Sequence, residues 1–136
     1  MTLASKEKLL SLHRYFIWAN KMRQNFDETL KYSVTQDGSN GMDAFMYMGY
    51  WYATMYLVAD GWRELKLKDD QINELLKSDN LELLRRYRNG VFHYQKTYND
   101  ARFTDLYQNG KDVVDWVRQL NQELARYFLI EMKLGH

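Results

Sequence analysis

Not one of the 136 residues is proline, and only seven are glycine. Proline removes a backbone donor and clashes with the preceding turn, so a chain without it keeps its helices unbroken. Turn-rich β folds rely on both residues, and such scarcity favours long helices. The apolar periodicity agrees. From Ser5 to Tyr32, Leu9, Leu12, Phe16, Ala19, Phe26 and Leu30 recur at helical spacing, and His13 and Asn20 flank the stripe. His13 reads as a core-edge histidine held by a hydrogen bond. Ser33 to Gly41, with Asp37-Gly38-Ser39-Asn40-Gly41, is a loop.

Met42 to Leu67 makes a second helix whose first half is apolar on every side, from Phe45 through Leu57. Such a helix is either central or shared with another subunit. Core plus a homodimer interface is the favoured reading. Gly49 and Gly61 are expected to permit close helix packing. Lys68 to Ser78 holds a short helix capped by Asp69 or Asp70 and anchored by Ile72, Leu75 and Leu76. Asp79 to Tyr98 is a helix with Asp79 as N-cap and Glu82 completing an acidic capping box. Leu81, Leu84, Tyr87, Val91 and Tyr98 define its buried face. Asn99 to Arg102 breaks the pattern, Phe103 to Gln108 offers a further turn, and Asn109-Gly110 is a turn signal. The last helix runs from Lys111 to Lys133 on Val113, Val117, Leu120, Leu124, Tyr127 and Phe128, with Asp112 and Asp115 in its first turn. No stretch alternates with period two for long enough to be a strand. The expectation is an all-α fold: one domain over residues 1–136, a four- to five-helix up-and-down bundle.

Composition narrows function mainly by exclusion. Without cysteine there are no disulfides or thiolate metal sites, which suits a reducing compartment. The N-terminus lacks the apolar run of a signal peptide. The longest uncharged run, Ala44 to Ala59, is too short for the roughly 20 residues of a membrane span. A cytoplasmic protein is expected. Three histidines, none three residues after a Glu, rule against bundle-core di-metal and zinc sites. No cofactor or metal is expected. There is no Gly-x-Ser-x-Gly hydrolase motif, and the Asp79 to Tyr98 helix, with aromatics on one side and a mixed Arg, Asn and His surface on the other, does not suit the reading of DNA sequence. The net charge of +1 makes no global case for nucleic acid.

A local case exists. Arg85, Arg86, Arg88, Lys96 and Arg102 cluster with Asp100 as the one acid after Glu82, a footprint suited to a phosphate-bearing partner. On a helical projection Arg88 falls between Leu84 and Phe92, inside the apolar arc, where a charge is costly without a partner. A histidine can move a proton near pH 7, and an arginine can stabilise charge developing on phosphorus. Together they are the minimum equipment for metal-free phosphodiester cleavage.

Arg88-Asn89-Gly90-Val91-Phe92-His93 resembles the Arg-(four to six residues)-His motif of the HEPN superfamily, including the common Asn directly after the Arg. The surrounding Leu83-Leu84-Arg85-Arg86-Tyr87 and Tyr94-Gln95 also look like bacterial defence and toxin-type members. The resemblance implies an antisymmetric helical homodimer in which two motifs face one cleft. It implies metal-independent RNA cleavage, by a toxin or phage-defence factor, to a 2′,3′-cyclic phosphate and a 5′-hydroxyl. His93 would be the general acid or base, Arg88 the phosphate ligand, and Asn89 a support for helix or substrate. Beside the resemblance, the local sequence offers Arg85, Arg86, Lys96 and Tyr94 as supporting groups and Asp60 or Glu64 as a carboxylate to orient an arginine. The family also allows a protein antitoxin or regulator as partner. One departure stands out: the toxin branch carries a Tyr two positions after the His, where this chain has Gln95.

Residues five apart on a straight helix point about 140° from each other. Either Gly90 distorts the helix, or two chains contribute in trans. The competing readings are an Arg88 paired structurally with Asp60 or Glu64 and a surface His93, a non-catalytic RNA- or nucleotide-binding module, and an interaction protein using its aromatic second helix. The bland reading of Asp60 and Glu64 is a solvated pair with Arg63 and Lys68.

Overall fold

A computed structural model describes residues 2–35 and 41–134. Among them there are six α-helices and no strand: α1 (Leu3–Thr35), α2 (Gly41–Glu64), α3 (Asp70–Leu75), α4 (Asn80–Phe92), α5 (Ala101–Asn109) and α6 (Val113–Leu134). The chain is an all-α bundle with one helix more than the upper expectation, because the turn expected at Phe103 is a nine-residue helix. Of the expected loop, residues 36–40 lie outside the described residues, while residues 33–35 continue α1 and Gly41 opens α2, so the loop is shorter than expected. No helix among the described residues is long and apolar enough to cross a membrane.

α2 is the centre. It packs along α1 and against α4 and α6, while α5 folds back on α4 and α3 rests on α6. Trp51, Tyr52, Met55, Val58, Ala59 and Trp62 of α2 are buried against Leu12, Phe16 and Ala19 of α1 and Val117, Leu120, Leu124 and Phe128 of α6. Aromatic side chains this large need partners for their polar edges. Trp51 Nε1 donates to Asn121 Oδ1 at 3.0 Å, Trp62 Nε1 to Asn73 Oδ1 at 2.8 Å, and Trp116 Nε1 to the Leu75 carbonyl at 2.9 Å. Each bond ties two elements together. Buried Asn80 does the same for the start of α4. Its Nδ2 donates to the Lys111 carbonyl at 2.8 Å, and its Oδ1 accepts from Lys111 N at 3.0 Å. The close-packing role expected of the glycines holds at Gly61, where a Cβ would lie 2.5 Å from Leu12 Cδ1. At Gly49 the nearest atoms would be 3.7 Å away, which is ordinary contact.

Three local expectations are corrected. Asp79 has helical backbone angles (φ −61°, ψ −19°) and makes no side-chain capping bond. An N-cap side chain reaches the next turn from an extended backbone, and Glu82 is drawn to Arg85 instead. The acidic capping box therefore does not form. By contrast Asp69 is extended and accepts from Ile72 N at 3.1 Å. Next, α4 stops at Phe92, six residues short of Tyr98, so Tyr98 is 83% exposed rather than part of the core. The reason is tertiary: α5 docks onto α4 at Gly90, where an added Cβ would lie 3.1 Å from Arg102 Cβ and the Phe103 ring, and the chain must reverse before it. Finally, Asp112 precedes α6 in the left-handed region (φ 50°), leaving Asp115 as the acid in that helix's first turn.

α2 is also less enclosed than its all-round apolarity suggests. Met55, Tyr56, Val58, Ala59 and Trp62 in its second half are buried, but Met42, Phe45, Met46 and Tyr50 form an exposed stripe along its first half.

Candidate functional site

The motif occupies the last turn of α4 and the residue that leaves it. Leu81, Leu84 and Tyr87 bury one face of α4. Arg88 sits at the edge of that face and is half-buried. Its guanidinium carbon lies 4.9 Å from the centroid of the Tyr56 ring on α2. An aromatic face is attractive to a cation in such a position. Arg88 Nε and Nη2 also donate to Asn89 Oδ1 at 3.2 and 2.9 Å. Ring and amide between them hold the guanidinium without neutralising it. The alternative of a structural ion pair to Asp60 or Glu64 is not found; among the described residues neither carboxylate pairs with Arg88, Arg63 or Lys68. Both are exposed and border a separate cleft with Lys8 and Tyr15. Asp60 still acts on the site at a distance. Burial raises the pKa of the Tyr56 hydroxyl, and the charge of Asp60 raises it further, against the lowering effect of Arg88.

His93 is the C-cap of α4, with an extended backbone (φ −121°, ψ 122°). Its N–H still donates to the Asn89 carbonyl at 3.0 Å. Its carbonyl accepts from Gln95 Nε2 at 2.6 Å. The side chain is exposed. The helix-periodicity angle between Arg88 and His93 therefore does not apply, because His93 has left the helix. Gly90 does not itself distort the helix, which continues through it to Phe92.

The basic cluster is less free than its sequence suggests. Arg85 is paired with Glu82, Arg86 with Asp105 at 2.8 Å, and Arg102 with Asp100 at 3.1 Å. Asp105 lies 19 residues after Arg86 and reaches it because α5 folds back on α4. Arg86 Nε is buried without a partner. Arg102 also donates to Gln95 Oε1 at 2.8 Å, which links α5 to the turn holding His93. Among the described residues no ion pair includes Arg88, Lys96 or His93. The cations available to an anionic ligand are thus Arg88 and Lys96, with His93 between them in sequence. Tyr94, 91% exposed, stands beside them. No group of three or more His, Asp or Glu side chains converges among the described residues.

An apolar surface adjoins this group. The Phe92 ring, 47% exposed, lies 6.4 Å from that of Tyr50, which is 44% exposed. Tyr50 continues into the exposed stripe of Met46, Phe45 and Met42. Beneath it, Tyr107 donates from its hydroxyl to that of buried Tyr87 at 2.8 Å, and burial pushes the Tyr87 hydroxyl well above the usual range. Tyr56, Asp105 and this stripe are the parts that sequence reasoning missed as neighbours of the motif. The only signal was the aromatic content of α2.

Comparison with protein-family models, curated proteins and solved structures finds no match to this chain.

Proposed function

We propose that the chain is a metal-independent endoribonuclease of HEPN type, acting in the cytoplasm as a homodimer whose two motifs form one site. The observation that carries this reading is the set Arg88, Asn89 and His93: a guanidinium held by a ring and an amide, with no carboxylate on it, one turn from an exposed imidazole at the helix end. A structural arginine would be expected to meet an acid, as Arg85, Arg86 and Arg102 do.

In the proposed reaction the 2′-oxygen of RNA forms a bond to the adjacent phosphorus and the bond from phosphorus to the 5′-oxygen breaks. One proton leaves the 2′-oxygen and one reaches the 5′-oxygen. His93 of each copy supplies one of these transfers, and Arg88 balances the charge that develops on the phosphoryl oxygens. In this reading Lys96 and the exposed Tyr94 hold the strand, by charge and by stacking. Met46, Tyr50 and Phe92 give a second copy an apolar surface beside the motif. Toxin or phage-defence activity, with a protein antitoxin or regulator, is the biological setting this chemistry suits.

A non-catalytic RNA-binding dimer is the second reading, favoured by the pairing of three of the cluster's arginines with acids. Incubation of purified protein with RNA in EDTA separates the two. The nuclease reading expects cleavage that His93→Ala and Arg88→Ala each remove; binding without products favours the module.

A further inference from the structure

The seam between α1 and α6 carries a further cleft, none of whose lining residues belongs to the motif. The two helices run antiparallel: Arg118 meets Asp27, Asn121 meets Asn20, and Phe128 stacks on Phe16. Along this seam lies an open cleft of about 480 Å³ walled by Phe16, Ile17, Phe128, Leu129 and Met132. It adjoins a polar hollow of about 320 Å³ lined by Asn20, Arg23, Arg118, Asn121 and Gln122. Asn20 and Ala125 belong to both. Each is in the size range of small-molecule sites.

The chemistry of the two parts differs, and that difference defines an occupant. No carboxylate lines either part, whereas Lys21 and Lys133 border the apolar one and two guanidiniums line the polar one. The guanidiniums are built in. Asp27 accepts from Arg118 Nη2 at 2.6 Å and from Arg23 Nη1 at 3.0 Å, so a single carboxylate faces two cations. Arg23 Nε is fixed by Asn20 Oδ1 at 3.0 Å, and Arg118 lies 5.3 Å over the Trp51 ring. Cations pre-set in this way bind an anion with little ordering cost. His13, on the apolar wall, packs 4.9 Å from Phe128, and burial lowers its pKa, which favours the neutral ring on that wall.

We infer that this cleft binds a small amphiphilic anion, its apolar or aromatic body against Phe16, Phe128 and Leu129 and its anionic head at Arg23 and Arg118. This site is independent of the ribonuclease reading and stands if that reading fails.

The test is calorimetric titration of the full chain with 1-naphthyl phosphate. One saturable site is expected. Affinity is expected to fall about tenfold or more for 1-naphthol or inorganic phosphate, and likewise in Arg23→Gln and in Leu129→Glu, since each removes a charged hydrogen bond or the apolar wall. Leu129 is exposed, so its substitution leaves the fold in place. Phe45→Glu and Arg88→Ala are expected to bind like the parent chain. No saturable binding, undiminished binding in Leu129→Glu, or loss of binding in Arg88→Ala would each overturn the inference. Loss of a dimer in Leu129→Glu, with no probe bound by the parent chain, would assign the cleft to a second copy and also overturn it.

Discussion

At the scale of single residues, the motif depends on how Arg88 is held. Tyr56 supplies the platform and Asn89 the acceptor, so the guanidinium keeps its charge while losing freedom. Replacing Tyr56 by Leu removes an attraction of about 0.5–1 kcal/mol at a partly exposed site. RNA cleavage is expected to weaken in Tyr56→Leu and to survive in Tyr56→Phe, with circular dichroism unchanged in both. Equal loss in both variants would point to the hydroxyl instead. Asp27 offers a pH test at the seam of α1 and α6. Its hydrogen bond from Arg118, helped by Arg23, holds its pKa below the ordinary carboxylate value. A depressed folded-state pKa means stability that is present above the unfolded pKa and is lost as pH falls through the folded one. Urea unfolding is therefore expected to show the parent chain losing more stability than Asp27→Asn as pH drops from neutral to below 4, near the carboxylate reference. Parallel losses would contradict the pairing.

Among the elements, what could be read from the sequence separates by whether the cause is local. The α1 stripe from Leu9 to Phe26, the α6 stripe and the Asp69 cap of α3 follow from spacing and side-chain chemistry within one segment and are found as expected, whereas Leu30, the last residue of the α1 stripe, is exposed. The end of α4 was not legible. Nothing between Val91 and Tyr98 is a strong helix breaker, and the helix stops because α5 returns onto Gly90. The same fold-back brings Asp105 to Arg86, a neutralisation that no count of neighbouring charges could anticipate. The Arg and His of the motif were legible as a pair, whereas Tyr56 depends on the register of α2 against α4. Asn80 illustrates a further class, a buried amide that joins α4 to the approach of α6. Asn80→Ala leaves Lys111 N and its carbonyl without their partner. A loss of about 1–3 kcal/mol is expected in denaturant unfolding, and a change within error would show that water replaces the amide.

For the whole molecule, the arrangement is polarised. α2 fills the centre with its second half and exposes apolar side chains with its first, beside Phe92 and the motif. An apolar stripe that adjoins the candidate chemistry fits a protein completed by a second copy. Tyr50→Glu and Phe45→Glu, both at exposed positions, are expected to give monomers in sedimentation and to lose RNA cleavage together with the dimer. Monomers that still cleave would separate the interface from the chemistry.

The central claim is that His93 and Arg88 cut RNA without a metal. The most direct measurement is cleavage of labelled RNA in EDTA by the parent chain, His93→Ala and Arg88→Ala, with the product ends identified. The account predicts 2′,3′-cyclic phosphate and 5′-hydroxyl ends, and a rate reduced about a hundredfold or more in each variant. No cleavage by the parent chain, or cleavage that His93→Ala leaves unchanged, would contradict it.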